Sequence, residues 1–176
     1  RVTDVSDGMD RLGRQDLGSM DPSIRPLWRD PQTMAHAIVG FAYTARFVNT
    51  NRPVTARGEE EMREMIRWWY RELAHGPDDN DTHVGYLGSS NTLGWMLAGA
   101  VGFVTNGGCR DTDEIILERV PVYSAGIEKS IRPARMEVLD LQVPINCGGV
   151  LVRPGDVVVA DGDGVIVVPI EVADEV

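Results

Sequence analysis

The amino-acid sequence predicts an α/β fold with a mixed sheet, organised as a single domain over residues 1–176. Two observations support this prediction. Helix-like and strand-like segments alternate through the middle of the chain, and an all-β block follows them at residues 148–169. With 176 residues, of which 43% are hydrophobic, the chain is long enough to bury one core of its own.

The first part of the chain predicts one short helix and a pair of strands. The helix covers residues 5–13, with Ser6 as its N-cap. Residues 20–31 contain three prolines, which predict irregular structure. Residues 35–48 are rich in β-forming residues and predict one or two strands, with Gly40 marking a bulge.

The clearest helical pattern covers residues 58–73. Three glutamates occupy its first turn, where the helix dipole favours negative charge, and apolar residues recur at helical spacing along it. A polar loop follows at residues 75–85.

The second half predicts two helices and several strands. The helices cover residues 89–102, ending near Gly99, and residues 111–120. The predicted strands cover 102–106, 120–127 and 139–146, followed by three β runs within 148–169 that are joined by the turns "RPGD" and "ADGDG".

Composition excludes several functional classes. The formal net charge of −10 makes nucleic acid a poor partner, because phosphate backbones are bound by basic surfaces. No apolar segment reaches the length of a membrane span. Two cysteines and three scattered histidines match no zinc spacing, and so few thiols predict a reduced, cytoplasmic protein.

The stretch "VTNGGCRDTDE" at residues 104–114 draws attention because Arg110 and Asp111 stand side by side after a buried strand. Two turns, 87–91 and 106–111, each lead into a helix, and backbone amides at such positions can hold an anion. If the strand at 102–106 brings the two turns together, the Arg110 guanidinium would bind a small carboxylate. Asp111 would then hold a hard divalent cation.

Simpler interpretations of the same residues stay open at this point. Asp111 could be an N-cap, and Arg110 a surface cation paired with Asp113 or Glu114. Cys109 is a weaker candidate nucleophile, since no histidine lies near it in sequence. Asp161 and Asp163 fit a hairpin turn better than a calcium loop.

Longer motifs carry a resemblance. "GSSNTLGWMLAGAVGFVTNGGCRDTDEI" and "VPINCGGVLVRPGDVVVADGDGVIVVP" resemble the RraA-like family, and "VSDGMDRLG" and "GFAYTARF" fit its early segments. That family includes regulators of ribonuclease E activity and divalent-metal-dependent 4-hydroxy-4-methyl-2-oxoglutarate aldolases. The resemblance implies a three-layer β/β/α sandwich with a mixed sheet, similar to the phosphohistidine swivelling domain. It also implies a homotrimer or a hexamer built as a dimer of trimers.

The resemblance further implies a site. The pyruvyl part of a 2-oxo acid would rest on the turn Gly88, Ser89, Ser90 and Asn91, and Arg110 would contact its oxygens. Asp111 would hold Mg²⁺ or Mn²⁺, which stabilises the enolate left by retro-aldol cleavage or by oxaloacetate decarboxylation. The implied function is a carbon–carbon lyase, a metal-dependent aldolase or decarboxylase. The alternative is a non-catalytic protein that binds and inhibits a ribonuclease or another enzyme.

The sequence departs from the family pattern at three places. Ser89 stands where the family usually has an acid, so the carboxylate that would orient metal-bound water is missing there, and Asp79 or Asp81 would have to replace it. A strand expected before the turn is absent, as if residues were missing between Pro77 and Asp78. The chain ends at Val176, soon after the last strand, without the family's C-terminal helix.

Overall fold

The computed structural model describes residues 1–50, 60, 63, 84–133 and 135–176. Most of the predicted helix at 58–73 and of the loop at 75–85 therefore lies outside the described residues. The same holds for Asp79, Asp81 and the junction between Pro77 and Asp78.

Short helices alternate with short strands along the described residues. The helices are α1 (Val2–Arg11), α2 (Ser89–Leu97) and α3 (Thr112–Leu117), and a 3₁₀ helix covers Ile170–Val172. The strands are β1 (Arg25–Pro26), β2 (Ile38–Phe41), β3 (Ala45–Asn49), β4 (Gly85–Leu87), β5 (Phe103–Cys109), β6 (Val122–Ile127), β7 (Met136–Leu141), β8 (Ile145–Cys147), β9 (Val150–Val152), β10 (Val157–Asp161) and β11 (Gly164–Val168).

A mixed four-stranded sheet, in the order β1-β6-β5-β4, contains the strands that matter for the site. Strands β4, β5 and β6 run parallel, and β1 is antiparallel to β6. Because parallel strands end at the same edge, the residues after β4, β5 and β6 are brought together there. The predicted mixed sheet is confirmed.

Antiparallel pairing accounts for the other strands. A three-stranded sheet has the order β11-β10-β2, and β3–β7 and β8–β9 form two separate pairs. The three predicted β runs within 148–169 correspond to β9, β10 and β11.

The mixed sheet separates two buried cores. Val122 and Tyr123 are neighbours on β6, and because successive side chains point to opposite faces, each belongs to a different core. The Val122 core includes Ile115 of α3 and has Trp95 of α2 packed against it, whereas the Tyr123 core includes Val165 of β11. The order is therefore antiparallel sheet, mixed sheet and helices, which is the predicted β/β/α sandwich.

Two predictions near the N-terminus were wrong in detail. The first helix begins at Val2, with Arg1 at the N-cap, so Ser6 lies inside the helix. The Arg1 and Asp4 side chains pair at this end and replace the expected serine cap. Gly40 pairs regularly with Val158 in the sheet, and the bulge lies instead between Arg46 and Phe47.

Two boundaries in the second half also differ from prediction. Residues 106–109 continue β5 instead of forming a turn, because the sheet pairs Gly108 and Cys109 with β6. The predicted anion cradle at 106–111 is therefore wrong. The predicted strand at 139–146 is divided between β7 and β8, which pair with different partners.

Within the described part of the chain, no helix combines the length and the apolar character that crossing a membrane requires.

Candidate active site

The site begins where β4 turns into α2. Gly88 is the N-cap of α2 and has extended backbone, and it follows β4 directly. Strand β5 ends beside it, and the amide of Arg110 donates a hydrogen bond of 2.8 Å to the carbonyl of Leu87. The parallel pairing of β4 and β5 therefore places Arg110 next to the turn that opens α2.

Glycines at two positions leave room for the side chains of Arg110 and Asp111. A Cβ atom at Gly88 would lie 2.7 Å from Oδ2 of Asp111, which is shorter than the distances that real Cβ atoms keep from other atoms. A Cβ atom at Gly85 would lie 3.2 Å from Cγ of Arg110. Both side chains therefore lie across the end of β4, and the absence of a side chain at Gly88 permits the close approach.

Arg110 and Asp111 form an ion pair with each other. Nε of Arg110 lies 3.0 Å from Oδ1 of Asp111, and each side chain is about one-third exposed (33% and 32%). The alternative in which Arg110 pairs with Asp113 or Glu114 is not what the structure shows. With Nε committed to Asp111, the terminal nitrogens of Arg110 make no ion pair among the described residues.

Asp111 takes a conformation that few non-glycine residues adopt. It stands at the N-cap position of α3, with φ 53° and ψ 42°, but its side chain makes no capping hydrogen bond. A left-handed backbone is unfavourable for a residue with a Cβ atom, and such residues concentrate at functional sites. The simple N-cap interpretation therefore accounts for the position of Asp111 but not for its side chain.

A cavity of about 220 Å³ joins these residues. It is lined by residues from the ends of β4 and β5, the first turn of α2 and the segment after β6: Gly85, Tyr86, Gly88, Ser90, Asn91, Arg110, Asp111, Ile131, Arg132 and Pro133. The predicted meeting of Arg110 with the turn at 88–91 is present. Ser89 is the one residue of that turn outside the lining.

Arg132 is a cavity residue that sequence reasoning missed. An isolated bridge pairs Ile131 with Gly85 and so carries Arg132 to the cavity. Arg132 is only 5% exposed, and its guanidinium lies 5.1 Å from the Phe47 ring centroid and 6.0 Å from that of Trp95. The one indication in the sequence is that Arg132 follows β6, the third parallel strand. That indication predicts a place at the cavity only when the strand order is known.

The cavity is positively charged although the chain is acidic. Two guanidiniums and one carboxylate, from Arg110, Arg132 and Asp111, leave a lining charge of +1, against −10 for the whole chain. A small cavity with two guanidinium groups favours an anion, which can be held by charge-assisted hydrogen bonds.

Ser89 turns away from the cavity lining and contacts α3. It is 6% exposed, and its hydroxyl donates a hydrogen bond of 2.5 Å to Oε2 of Glu114. Position 89, where the resemblance led us to expect an acid, thus carries a hydroxyl that is itself hydrogen-bonded to a carboxylate.

Cys109 is fully buried at the end of β5, and its sulfur lies 3.3 Å from Oγ of Ser124. Burial raises the pKa of this thiol, and the hydrogen bond to Ser124 only partly offsets the effect. A thiol kept protonated in this way is a poor nucleophile, which agrees with the low weight given to Cys109 above.

Comparison with known proteins identifies the family. A family model described as RraA-like, Aldolase/RraA, matches residues 2–167. The chain belongs to the RraA-like family.

Sequence relatives of this RraA-like chain cover only part of it. Over 83 residues it is 37% identical to a Halalkalibacterium halodurans protein named "Putative 4-hydroxy-4-methyl-2-oxoglutarate aldolase", a match that covers 47% of this chain and 37% of the relative. The chain spans less than half the length of the curated relatives that it matches, whose matched shares are 37%, 11%, 42% and 42%.

Solved structures match nearly the whole RraA-like chain. A Pseudomonas syringae protein superposes with a TM-score of 0.77 at 25% identity, covering 99% of this chain and 78% of its own. Streptomyces coelicolor RraAS2, described as an unusual member of the RNase ES inhibitor RraA protein family, gives a TM-score of 0.73 at 25% identity. That match covers 97% of this chain and 82% of the other. The fold is therefore shared over nearly all of this chain and over about four-fifths of each solved chain.

A divalent metal, which the resemblance implies, is compatible with the residues of this cavity. Among the described residues, no group of three or more histidine, cysteine, aspartate or glutamate side chains could form a complete metal cage. Asp111 is the carboxylate that lines the cavity, and Mg²⁺ commonly binds through one or two carboxylates while keeping several waters. The donor set therefore fits a hard cation held loosely at Asp111, and offers no thiolate or imidazole for a softer one.

Proposed function

We propose that this RraA-like chain is a divalent-metal-dependent carbon–carbon lyase acting on a 2-oxo acid. The observation that carries the proposal is the shared cavity of Arg110, Asp111 and the first turn of α2. The reactions are retro-aldol cleavage of a 4-hydroxy-2-oxo acid and decarboxylation of oxaloacetate. Both release pyruvate through its enolate.

The cavity lining offers groups that would hold both ends of the proposed substrate. The first amides of α2, at Ser90 and Asn91, lack helical acceptors and would receive the carboxylate next to the 2-oxo group. Arg110 would contact the 2-oxo oxygen, where negative charge develops during cleavage. Arg132 would face a carboxylate at the far end of the substrate, which favours dicarboxylic 2-oxo acids.

Asp111 would hold Mg²⁺ or Mn²⁺, which when bound supplies the Lewis-acid charge that an enolate requires. The Arg110–Asp111 ion pair keeps the guanidinium and the carboxylate on the same wall of the cavity, at 3.0 Å from each other. The ion pair thus fixes the guanidinium relative to the oxygen that would hold the metal before substrate arrives, and preorganised sites lower a barrier in this way.

The test is metal-dependent release of pyruvate from a panel of 2-oxo acids, measured with lactate dehydrogenase, for the wild type and Arg110→Ala. We expect Arg110→Ala to lose about 100-fold or more in kcat/KM, because removing one preorganised donor costs a factor of this order. Arg153→Ala is the matched control, since Arg153 is exposed and lies outside the cavity lining. Wild-type rates in Arg110→Ala would rule out the proposed function.

A second candidate function is supported by two observations. Ser89 stands where the resemblance implies an acid, and a structural relative is described as belonging to an RNase ES inhibitor family. In this alternative the chain is a non-catalytic protein that binds and inhibits a ribonuclease or another enzyme through its acidic surface. It predicts salt-sensitive binding of a basic partner, unaffected by Arg110→Ala, and no metal-dependent pyruvate release.

We also propose that the protein assembles as a homotrimer or as a hexamer of two trimers. The support is an apolar surface formed by β2 and the segment after α2, in which a Cβ atom at Gly40 would lie 2.8 Å from Cγ2 of Val101. Phe41 on the same strand is 75% exposed. Exposed apolar patches of this kind are typical of subunit contacts.

A further inference from the structure

We propose that the free edge of β2 pairs with β2 of a second copy of this chain, so that two three-stranded sheets join into one continuous sheet. The contact is antiparallel and two-fold symmetric, which is the commonest arrangement of two identical subunits. The inference does not depend on the lyase function. It assigns a two-fold contact to the assembly proposed above, and so it selects the hexamer over the isolated trimer.

Strand β2 is the edge of its sheet. In the order β11-β10-β2 it has β10 on one side, and among the described residues no strand pairs with it on the other. The amide of Ala42 donates to the carbonyl of Asp156, and the carbonyl of Ala42 accepts from the amide of Gly155, so both groups face β10. Because backbone groups alternate in direction along a strand, those of Val39 and Phe41 face away from β10. Each of these two residues therefore offers an N–H donor and a C=O acceptor at the edge.

The sequence of β2 has none of the features that protect an exposed edge from pairing. Natural sheets protect such edges with charged side chains, proline or a bulge. Strand β2 contains no proline and pairs with β10 in regular register. Between Asp30 and Arg46 the chain has no lysine, arginine, aspartate or glutamate. A contact centred on β2 therefore brings no like charges together, which matters because two copies with a net charge of −10 otherwise repel each other.

The side chains of β2 are also suited to such pairing. Ile38 points into the core and is 7% exposed, whereas Val39 and Phe41 on the other face are 66% and 75% exposed. A valine and a phenylalanine thus lie uncovered beside free backbone groups. Burial of both on pairing would remove apolar surface from water, which favours association.

A register centred on Gly40 uses every free backbone group of β2. Val39 then lies opposite Phe41 of the second copy, and Phe41 opposite its Val39. Each opposed pair exchanges two N–H···O bonds, and the two-fold axis passes between the two glycines. Opposed side chains lie on the same face of an antiparallel sheet, so a valine meets a phenylalanine twice. Pairs of a β-branched and an aromatic side chain stabilise antiparallel sheets, so the edge is complementary to itself.

The test measures molecular mass, by light scattering after size exclusion, for Val39→Lys, for Phe41→Glu and for the variant that carries both. We expect the wild type to have the mass of a hexamer and each single variant about half of it, because an unpaired charge then lies at the centre of the joined sheet. The double variant should recover the wild-type mass. In the register centred on Gly40, each introduced lysine faces the introduced glutamate of the second copy.

Two further variants complete the test. Leu151→Lys is the matched control, since Leu151 is a strand residue of β9 with a comparable exposed fraction of 52%, and it should keep the wild-type mass. Val39→Pro removes the outward N–H of β2 without removing a hydrogen bond to β10 or adding a charge. It should also halve the mass, while its circular dichroism spectrum stays that of the wild type.

A wild type with the mass of a monomer or of a single trimer would overturn the pairing through β2, as would an unchanged mass in both single charge variants. A lower mass in the single variants without recovery in the double variant would overturn the register centred on Gly40, and the proposal with it. Pyruvate release is measured separately on the same proteins, so each of these results leaves the lyase proposal standing.

Discussion

Asp111 combines an unfavourable backbone conformation with a place in the cavity, and the two properties can be separated by substitution. Its φ of 53° is better tolerated by glycine than by any residue with a Cβ atom. The carboxylate of Asp111, by contrast, is the part that the proposed chemistry needs.

We therefore predict different effects on stability and activity at position 111. Asp111→Gly and Asp111→Ala should both lose metal-dependent pyruvate release by about 100-fold or more. In urea unfolding, the free energy of unfolding of Asp111→Gly should exceed that of Asp111→Ala by about 1 kcal/mol. The left-handed backbone conformation is unfavourable for alanine, which has a Cβ atom, but not for glycine. Equal stability of the two variants would contradict the inferred backbone strain.

Arg132 shows how a single residue can be misjudged from sequence. In the sequence it is close to Arg135 and to several acids, which gives no sign that it is buried. In the structure it is buried against Phe47 and Trp95, where aromatic faces stabilise its charge. Its partners come from β3 and α2, which are distant in sequence, so no local pattern could have placed it.

At the scale of elements, the segment after β1 is anchored by Asp30. Its carboxylate accepts hydrogen bonds from the side chain and the amide of Thr33 and from the amide of Gln32, and it pairs with Arg119 at 2.6 Å just beyond α3. Hydrogen bonds to its carboxylate lower the pKa of Asp30 well below its usual value of 3.8. The largest contribution comes from the Thr33 hydroxyl and the second from the Arg119 guanidinium. One aspartate thus connects this loop to the helix that carries Asp111.

The lowered pKa of Asp30 predicts the direction of a pH effect. A carboxyl with a lower pKa in the folded state stabilises the fold above its usual pKa of 3.8, and loses that contribution as pH falls toward the lowered value. The free energy of unfolding of Asp30→Asn should therefore be below that of the wild type at pH 7, and the gap should close in acid. Urea melts at several pH values would measure this, and a gap that widened in acid would contradict it.

At the scale of the whole molecule, the apolar surface around Phe41 and Val101 bears on assembly. We predict that Phe41→Asp combined with Val101→Asp breaks the proposed trimer or hexamer into smaller species, because an interface buried there could not hold unpaired carboxylates. Light scattering after size exclusion would give the masses. Leu117→Asp, at a residue 83% exposed at the end of α3, is the control and should leave the assembly unchanged.

Much of the site could be predicted from the sequence, because local properties of its residues indicate it. Glycines and small polar residues at 88–91 predict a helix start with free amides, and Arg110 followed by Asp111 predicts charged groups at a strand end. These are local properties, set by which backbone conformations and hydrogen bonds each residue type allows. The predicted cradle at 106–111 failed because pairing with β6 overrode the turn preference of its glycines.

By itself the sequence determined the alternation of helices and strands, the acidic surface and the identity of the residues that could bind an anion. These depend on local preference and composition, which act over a few residues. The tertiary structure alone decided that Arg132 joins Arg110 in one cavity and that Glu114 reaches Ser89. Both contacts depend on strand order and helix packing, which bring distant segments together and which no short stretch of sequence encodes.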